Sequence, residues 1–131
     1  MQTALLYPQE IEVFYIIPAL RCHFAKYLKS LGNSQKEIAK MLMVRESTVS
    51  QYMTAKRATK ITFQKEIEKE IQKSAAKIKS HLDIIRETQR ILTQMRSSGN
   101  ICALHKQLAK IPLHCNHQEM GCSIPLKNEE Q

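Results

Sequence analysis

The chain has 131 residues, a formal net charge of +8 and a sequence pI near 9.5; that length gives one domain, or a small head with an extension, and that charge suits a polyanionic partner. Three glycines, four prolines and no run of alternating apolar and polar residues argue against a β-fold and for helix throughout. No apolar run can span a bilayer, the nearest being Val13 to Leu20, and no basic stretch leads into an apolar one as in a signal peptide, so the expected location is cytoplasmic.

Residues 1–10 read as a loose lead-in. From Ile11 to Leu31 the apolar residues Val13, Ile17, Leu20, Phe24, Leu28 and Leu31 recur at three and four, the stripe of a core-facing helix. Pro18 interrupts it: either the helix proper starts there, or a longer helix is kinked. Cys22 lies off the stripe, about 200° round from Leu20 at 100° per residue, and reads as a small surface or packing residue. His23 reads as structural.

The stretch from Gly32 to Arg57 carries the strongest pattern. Gly32 can close the preceding helix in the left-handed conformation that glycine adopts cheaply. Ser34, with Glu37 three residues on, forms a capping box for the next helix, whose inward face is Ile38, Ala39 and Leu42. A break at Met43-Val44 precedes a second helix from Glu46 to Ala55, with Val49, Tyr52 and Met53 as its apolar positions. Its other face carries Glu46, Ser47, Thr48, Ser50 and Gln51, short polar side chains suited to base edges. Lys56, Arg57 and Lys60 follow. Residues 1–60 hold nine Lys/Arg against four Asp/Glu, so +5 of the charge lies in this half.

Ser34, Gln35, Glu37, Ile38, Ala39, Leu42, Val44, Thr48, Val49, Ser50 and Tyr52 match the pattern S-Q-x-E-[IL]-A-x-x-L-G-[IV]-x-x-[ST]-[TV]-[VI]-S-x-[YW]. In this the stretch resembles the helix-turn-helix of the lambda-repressor-like transcription regulators. There are two departures. The turn glycine is Met43 here, which puts a bulky residue near positive φ, and the small residue that usually caps the second helix is Arg45. The resemblance implies that the second helix enters the major groove. Glu46, Ser47, Thr48 and Gln51 would then meet base edges, Gln51 bonding adenine and Glu46 accepting from cytosine. Ser34, Gln35, Arg45, Lys56, Arg57 and Lys60 complete the DNA-binding set, chiefly through phosphates.

Residues 58–61 read as a short connection. Thr62 reads as the N-cap of a long helix whose apolar positions are Ile67, Ile71, Ala75 and Ile78, with Ala76 beside them. Glu66 with Lys69, and Glu70 with Lys73, read as a solvated face. Ser80 and Asp83 cap a further helix, with Leu82, Ile85, Leu92 and Met95 on one stripe and Gly99 at its end. These two helices carry more aliphatic surface than a small head covers. Either they fold back onto the monomer's core, or they pack against a second subunit. A homodimer is expected, because helix-turn-helix proteins commonly bind two half-sites. Asn100 caps a last short helix with Ile101, Leu104 and Leu108 inside and Pro112 stopping it. The expected fold is all-α: a helix-turn-helix head at 1–60, a helical linker and dimerisation region at 61–99, and an irregular cysteine-containing segment at 100–131.

Three of the four cysteines, Cys102, Cys115 and Cys122, fall in the last thirty residues. Cys102 and His105 sit one helical turn apart on a shared face, and a loop with Cys115 and Cys122 could fold back over it. Thiolates select zinc or iron–sulphur clusters over harder ions. Gly99-Asn-Ile-Cys102-Ala-Leu104-His105, with two later cysteines, is similar to the C-terminal segment G-x-x-C-x-L-H of small predicted regulators of archaea and some bacteria. The further cysteine pair those relatives often carry before the glycine is missing here. Three readings stay open. One is an iron–sulphur cluster (4Fe–4S) on Cys102, Cys115 and Cys122, with the fourth site open or filled by His105. Another is a structural zinc with three Cys and one His. The third is thiols packed as small apolar groups, or a redox disulfide. His114 and His117 are reserve ligands, and His81 reads as a surface residue.

The function expected from these features is a sequence-specific DNA-binding regulator whose tail senses iron, oxygen or redox state. The alternative is an antitoxin-like or adaptor module with a structural zinc. An enzyme is not expected, since the chain has one Asp and no glycine-rich phosphate loop.

Overall fold

A computed structural model describes residues 7–54, 61–108, 115, 120 and 121, and every regular element among them is a helix. The N-terminal run has three parts: α1 (Pro8–Ile11), a π-helical turn (Glu12–Ile16) and α2 (Ile17–Ser30). The chain is thus already helical at Pro8, inside the expected lead-in. Pro8 occupies the first turn, where a missing N–H costs nothing, and the Tyr7 N–H donates to the Glu10 carboxylate at 2.7 Å.

Pro18 accounts for the π turn. In an unbroken α-helix its ring would press on the carbonyl of Phe14. The wider turn, in which the Ile17 N–H reaches back to the Glu12 carbonyl, takes up that mismatch. The extra residue also rotates the face before it by about 100°. The expected stripe is lost there: Val13 is 56% exposed, while Ile11 and Ile16 are buried. Leu31, at the other end, is exposed as well, and Cys22 is buried in the core as a packing residue. Burial pushes its thiol pKa up.

α2 ends in a Schellman-type close. Gly32 has φ +103°, the Asn33 N–H donates to the Leu28 carbonyl at 3.1 Å and the Gly32 N–H to that of Lys29 at 3.0 Å. Then α3 (Gln35–Leu42) opens on the expected capping box: the Ser34 N–H donates to Glu37 Oε1 at 2.8 Å, and the Glu37 N–H to Ser34 Oγ at 3.1 Å. α3 closes in the same way as α2, with the Val44 N–H on the Ala39 carbonyl at 3.0 Å and the Met43 N–H on that of Lys40 at 3.3 Å. Met43 therefore sits at φ +56°, ψ +45°, in the place a glycine usually takes. The turn keeps its shape and the residue carries the strain. Met43→Gly should stabilise the fold by about 1 kcal/mol, since a side chain in this conformation costs roughly that much. Urea unfolding of the two proteins reads the difference.

α4 (Glu46–Met53) follows and closes at Thr54, with Val49 and Tyr52 buried; the expected end, Ala55, lies outside the described residues. α5 (Lys65–Lys77) starts after Gln64, not at Thr62. Ile61 and Phe63, 7% and 6% exposed, hold the preceding chain extended against the core, so the helix can begin only beyond them. Ile67, Ile71, Ala75 and Ile78 face inward as expected. α6 (His81–Ser98) opens with the Asp83 carboxylate accepting from the Lys79 and Ser80 N–H groups, at 2.8 and 3.1 Å. Its buried face is Ile84, Ile91, Leu92 and Met95; Leu82 and Ile85 are 63% and 53% exposed and lie outside the core. α7 (Asn100–Leu108) buries Ile101 and His105.

α5 packs on α2, α6 on α5 and α3, and α7 on α6 and α1. The last helices thus fold back and complete the monomer's own core. Polar groups tie these layers. Arg90 joins Glu87 (3.1 Å), Glu70 (2.8 Å) and the Ser74 hydroxyl, so the presumed solvated face of α5 is in part a seam to α6. Burial raises the pKa of the Glu87 carboxyl, but hydrogen bonds from Ser74 and Arg90 outweigh that and hold it below the usual value.

Between α2 and α5, Glu68 accepts from the Tyr27 hydroxyl at 2.9 Å and from His23 Nδ1 at 2.9 Å, while His23 lies edge-on to Phe63 at 5.1 Å. Burial lowers the His23 pKa, and the nearby Glu68 charge only partly offsets this. The imidazole is therefore neutral at pH 7, and the contact is a hydrogen bond rather than an ion pair. The unfolded chain takes up a proton near pH 6.5 that the folded one resists. Stability should thus fall as the pH drops below about 6.5, and His23→Asn should flatten that slope in thermal unfolding.

Candidate nucleic-acid interface

α4 presents two opposite faces. At about 100° per residue, Val49 and Tyr52 centre the buried side, and Glu46, Ser50, Ser47 and Gln51 span the other, with Thr48 at its margin. Glu46 and Ser47 are exposed, and Thr48, Ser50 and Gln51 are half-buried. Ser50 belongs on this face between Glu46 and Ser47, although it was absent from the expected contacts; its helical angle is the signal. Gln51 keeps an interaction within the protein, so base contact there is an exchange of partners. Arg45 is the N-cap of α4, but its side chain makes no capping bond and is exposed beside this face. Thr54 closes α4, its hydroxyl donating to the Ser50 carbonyl at 3.2 Å.

α3 supplies the second part. Ser34 is exposed, but its hydroxyl and N–H are both engaged in the capping box, and Glu37 is held below the usual carboxylate range by hydrogen bonds to Ser34. Of the first-turn donors, the N–H groups of Gln35 and Lys36 have no helical carbonyl to reach. A phosphate there would meet these two amides, where the helix dipole favours an anion. The exposed Lys36 is a second residue the sequence reading passed over. Lys56, Arg57 and Lys60 lie outside the described residues.

Cys102 and Cys115 are half-buried and His105 is buried. Among the described residues no three His, Cys, Asp or Glu side chains come together. Cys102, His105 and Cys115 are the described members of the expected ligand set. Cys122, His114 and His117 lie outside the described residues. No described helix is long and apolar enough to cross a membrane.

No curated protein and no solved structure matches the chain. A family model does match: residues 24–78, from the middle of α2 to the end of α5, fit the helix-turn-helix family. Over residues 24–78 the chain is thus similar to helix-turn-helix domains of the lambda-repressor type, the kind with which transcriptional regulators bind DNA.

Proposed function

We propose that the protein is a sequence-specific regulator of transcription that reads the major groove with α4. The observation that carries this is the uncovered polar flank of α4: Glu46 and Ser47 are exposed and Thr48, Ser50 and Gln51 remain reachable. Side chains of these types discriminate bases at the major-groove edge. Gln35, Lys36 and Arg45 set the register on phosphates, joined by Lys56, Arg57 and Lys60. Selection of binding sites from a random duplex pool tests the reading. A recurrent sequence supports it; enrichment of no sequence above the starting pool overturns it.

The regulator acts as a homodimer on two half-sites about 10–10.5 base pairs apart. Its support is the exposed pair Leu82 and Ile85 on α6, which the monomer's core leaves uncovered. Sedimentation of the full chain tests this, a monomer at high concentration on and off DNA being the contrary result. A separate proposal, carried by ligand chemistry alone, is an iron–sulphur cluster or zinc on Cys102, Cys115, Cys122 and His105. Anaerobic purification with metal and sulphide analysis tests it, and a metal-free protein overturns it.

A further inference from the structure

A groove of about 770 Å³ runs between the end of α2, α3 and the α5–α6 connection. That volume lies within the range of small-molecule clefts. Its floor is apolar: Leu28, Met41, Ala75 and Ile78 are buried residues whose edges line it. Leu31 stands at its mouth, 58% exposed. An apolar side chain of that size left in water on the wall of an apolar groove is surface that an aliphatic body would cover favourably.

The charges around the groove have one dominant sign. Lys40 reaches it from α3 and Lys79 from the connection, with the imidazole of His81 beside them. Neither ammonium has an ion-pair partner among the described residues. Among the described residues Glu37 is the only acid in the lining, and its carboxylate accepts from the Ser34 N–H in the capping box at 2.8 Å. Asp83, close in sequence, is likewise engaged, with the Lys79 N–H at 2.8 Å and Arg86 at 2.6 Å. The groove therefore joins an aliphatic trough to two cations held in no ion pair among the described residues, an excess of one positive charge over Glu37.

We infer that this groove is a binding site for an amphipathic carboxylate with an aliphatic body. The chain of such a ligand lies over Leu28, Leu31, Met41 and Ile78, and its carboxylate meets Lys40 and Lys79. The site touches neither the outer flank of α4 nor the cysteine segment, so binding there is separable from DNA recognition.

Octanoate is the probe, titrated into the isotope-labelled full chain without DNA and followed by NMR, against octan-1-ol and octylamine. Saturable shifts confined to Leu31, Met41, Ala76 and Ile78 are expected with octanoate. Octan-1-ol should bind about tenfold more weakly, the loss expected for hydrogen bonds to a charged group, and octylamine should give no saturable shift. The double variant Lys40→Gln, Lys79→Gln should weaken octanoate by the same factor and leave octan-1-ol unchanged. The inference is overturned if octanoate does not saturate at millimolar concentration, or if octylamine binds as well. Shifts centred elsewhere, for instance on Leu82 and Ile85, or octanoate binding untouched in the double variant, overturn it too. The comparison of the three ligands on the unaltered protein stands even if the variant is poorly folded.

Discussion

Arg96→Ala should destabilise the protein by about 3 kcal/mol, the low end of what breaking a buried ion pair costs. Arg96 grips Glu12 with two parallel bonds, Nε at 2.7 Å and Nη2 at 2.9 Å, across a sequence separation of 84 residues. The two ends of the pair differ in setting. The Arg96 side chain is 37% exposed, whereas that of Glu12 is 9% exposed. Removing the arginine therefore leaves a carboxylate only 9% exposed without the two bonds that Arg96 donates. That asymmetry places the effect well above the 0–1 kcal/mol typical of a surface pair. Against a total stability of about 5–15 kcal/mol, it is a large share. Urea unfolding measures it. The double variant Arg96→Leu, Glu12→Leu should recover most of the loss, because no charge is then left buried. A loss under 1 kcal/mol for the single variant would show that Glu12 finds water or another donor.

On DNA, Gln51→Ala should weaken binding to the selected site by about tenfold to a hundredfold, the range for one bidentate base contact of 1–3 kcal/mol. Non-specific binding should be unchanged at the same salt, because that component comes from phosphate charge. Thr48→Ala, at the margin of the same face, should cost less. Gln51 lies on the side of α4 away from the buried Val49 and Tyr52, whereas Thr48 borders Tyr52 and is half-buried. A change at Lys36 should behave differently, lowering affinity evenly across sequences and reducing the salt slope by about one. If Gln51→Ala lowered specific and non-specific binding alike, α4 would be a backbone contact and not a reading element.

Local signals were legible in the sequence wherever the partner of a backbone group lies within a few residues. Ser34 with Glu37, Asp83 with Ser80, and the two glycines at φ +103° and +81° that follow α2 and α6 were all readable this way. Even the Met43 departure could be read as a position of positive φ. Faces were less legible, because burial depends on which neighbour a helix meets. The stripe fails at Val13, since Pro18 forces a π turn and shifts the phase, while Ile17 still packs against the core. In α6, Leu82 and Ile85 are as aliphatic as Ile84 and Ile91, and only packing against α3 and α5 decides between them. Thr62 looked like a cap, yet Ile61 and Phe63 on either side of it are core residues, and their alternation marks an extended stretch. In the candidate interface, the residue types of α4 were plain, Ser50 included, while the Lys36 amide emerged only from geometry. The buried pair of Glu12 and Arg96 has no local sequence signal at all.

The most direct test of DNA reading by α4 is amide NMR of the full chain titrated with the selected duplex and with a scrambled one, at fixed salt. The selected duplex should shift Glu46, Ser47, Thr48, Ser50 and Gln51 together with Gln35 and Lys36, and the scrambled duplex should shift Gln35 and Lys36 while leaving the outer flank of α4 nearly unmoved. Equal shifts on α4 with both duplexes, or a selected duplex that perturbs α6 and α7 and spares α4, would contradict it.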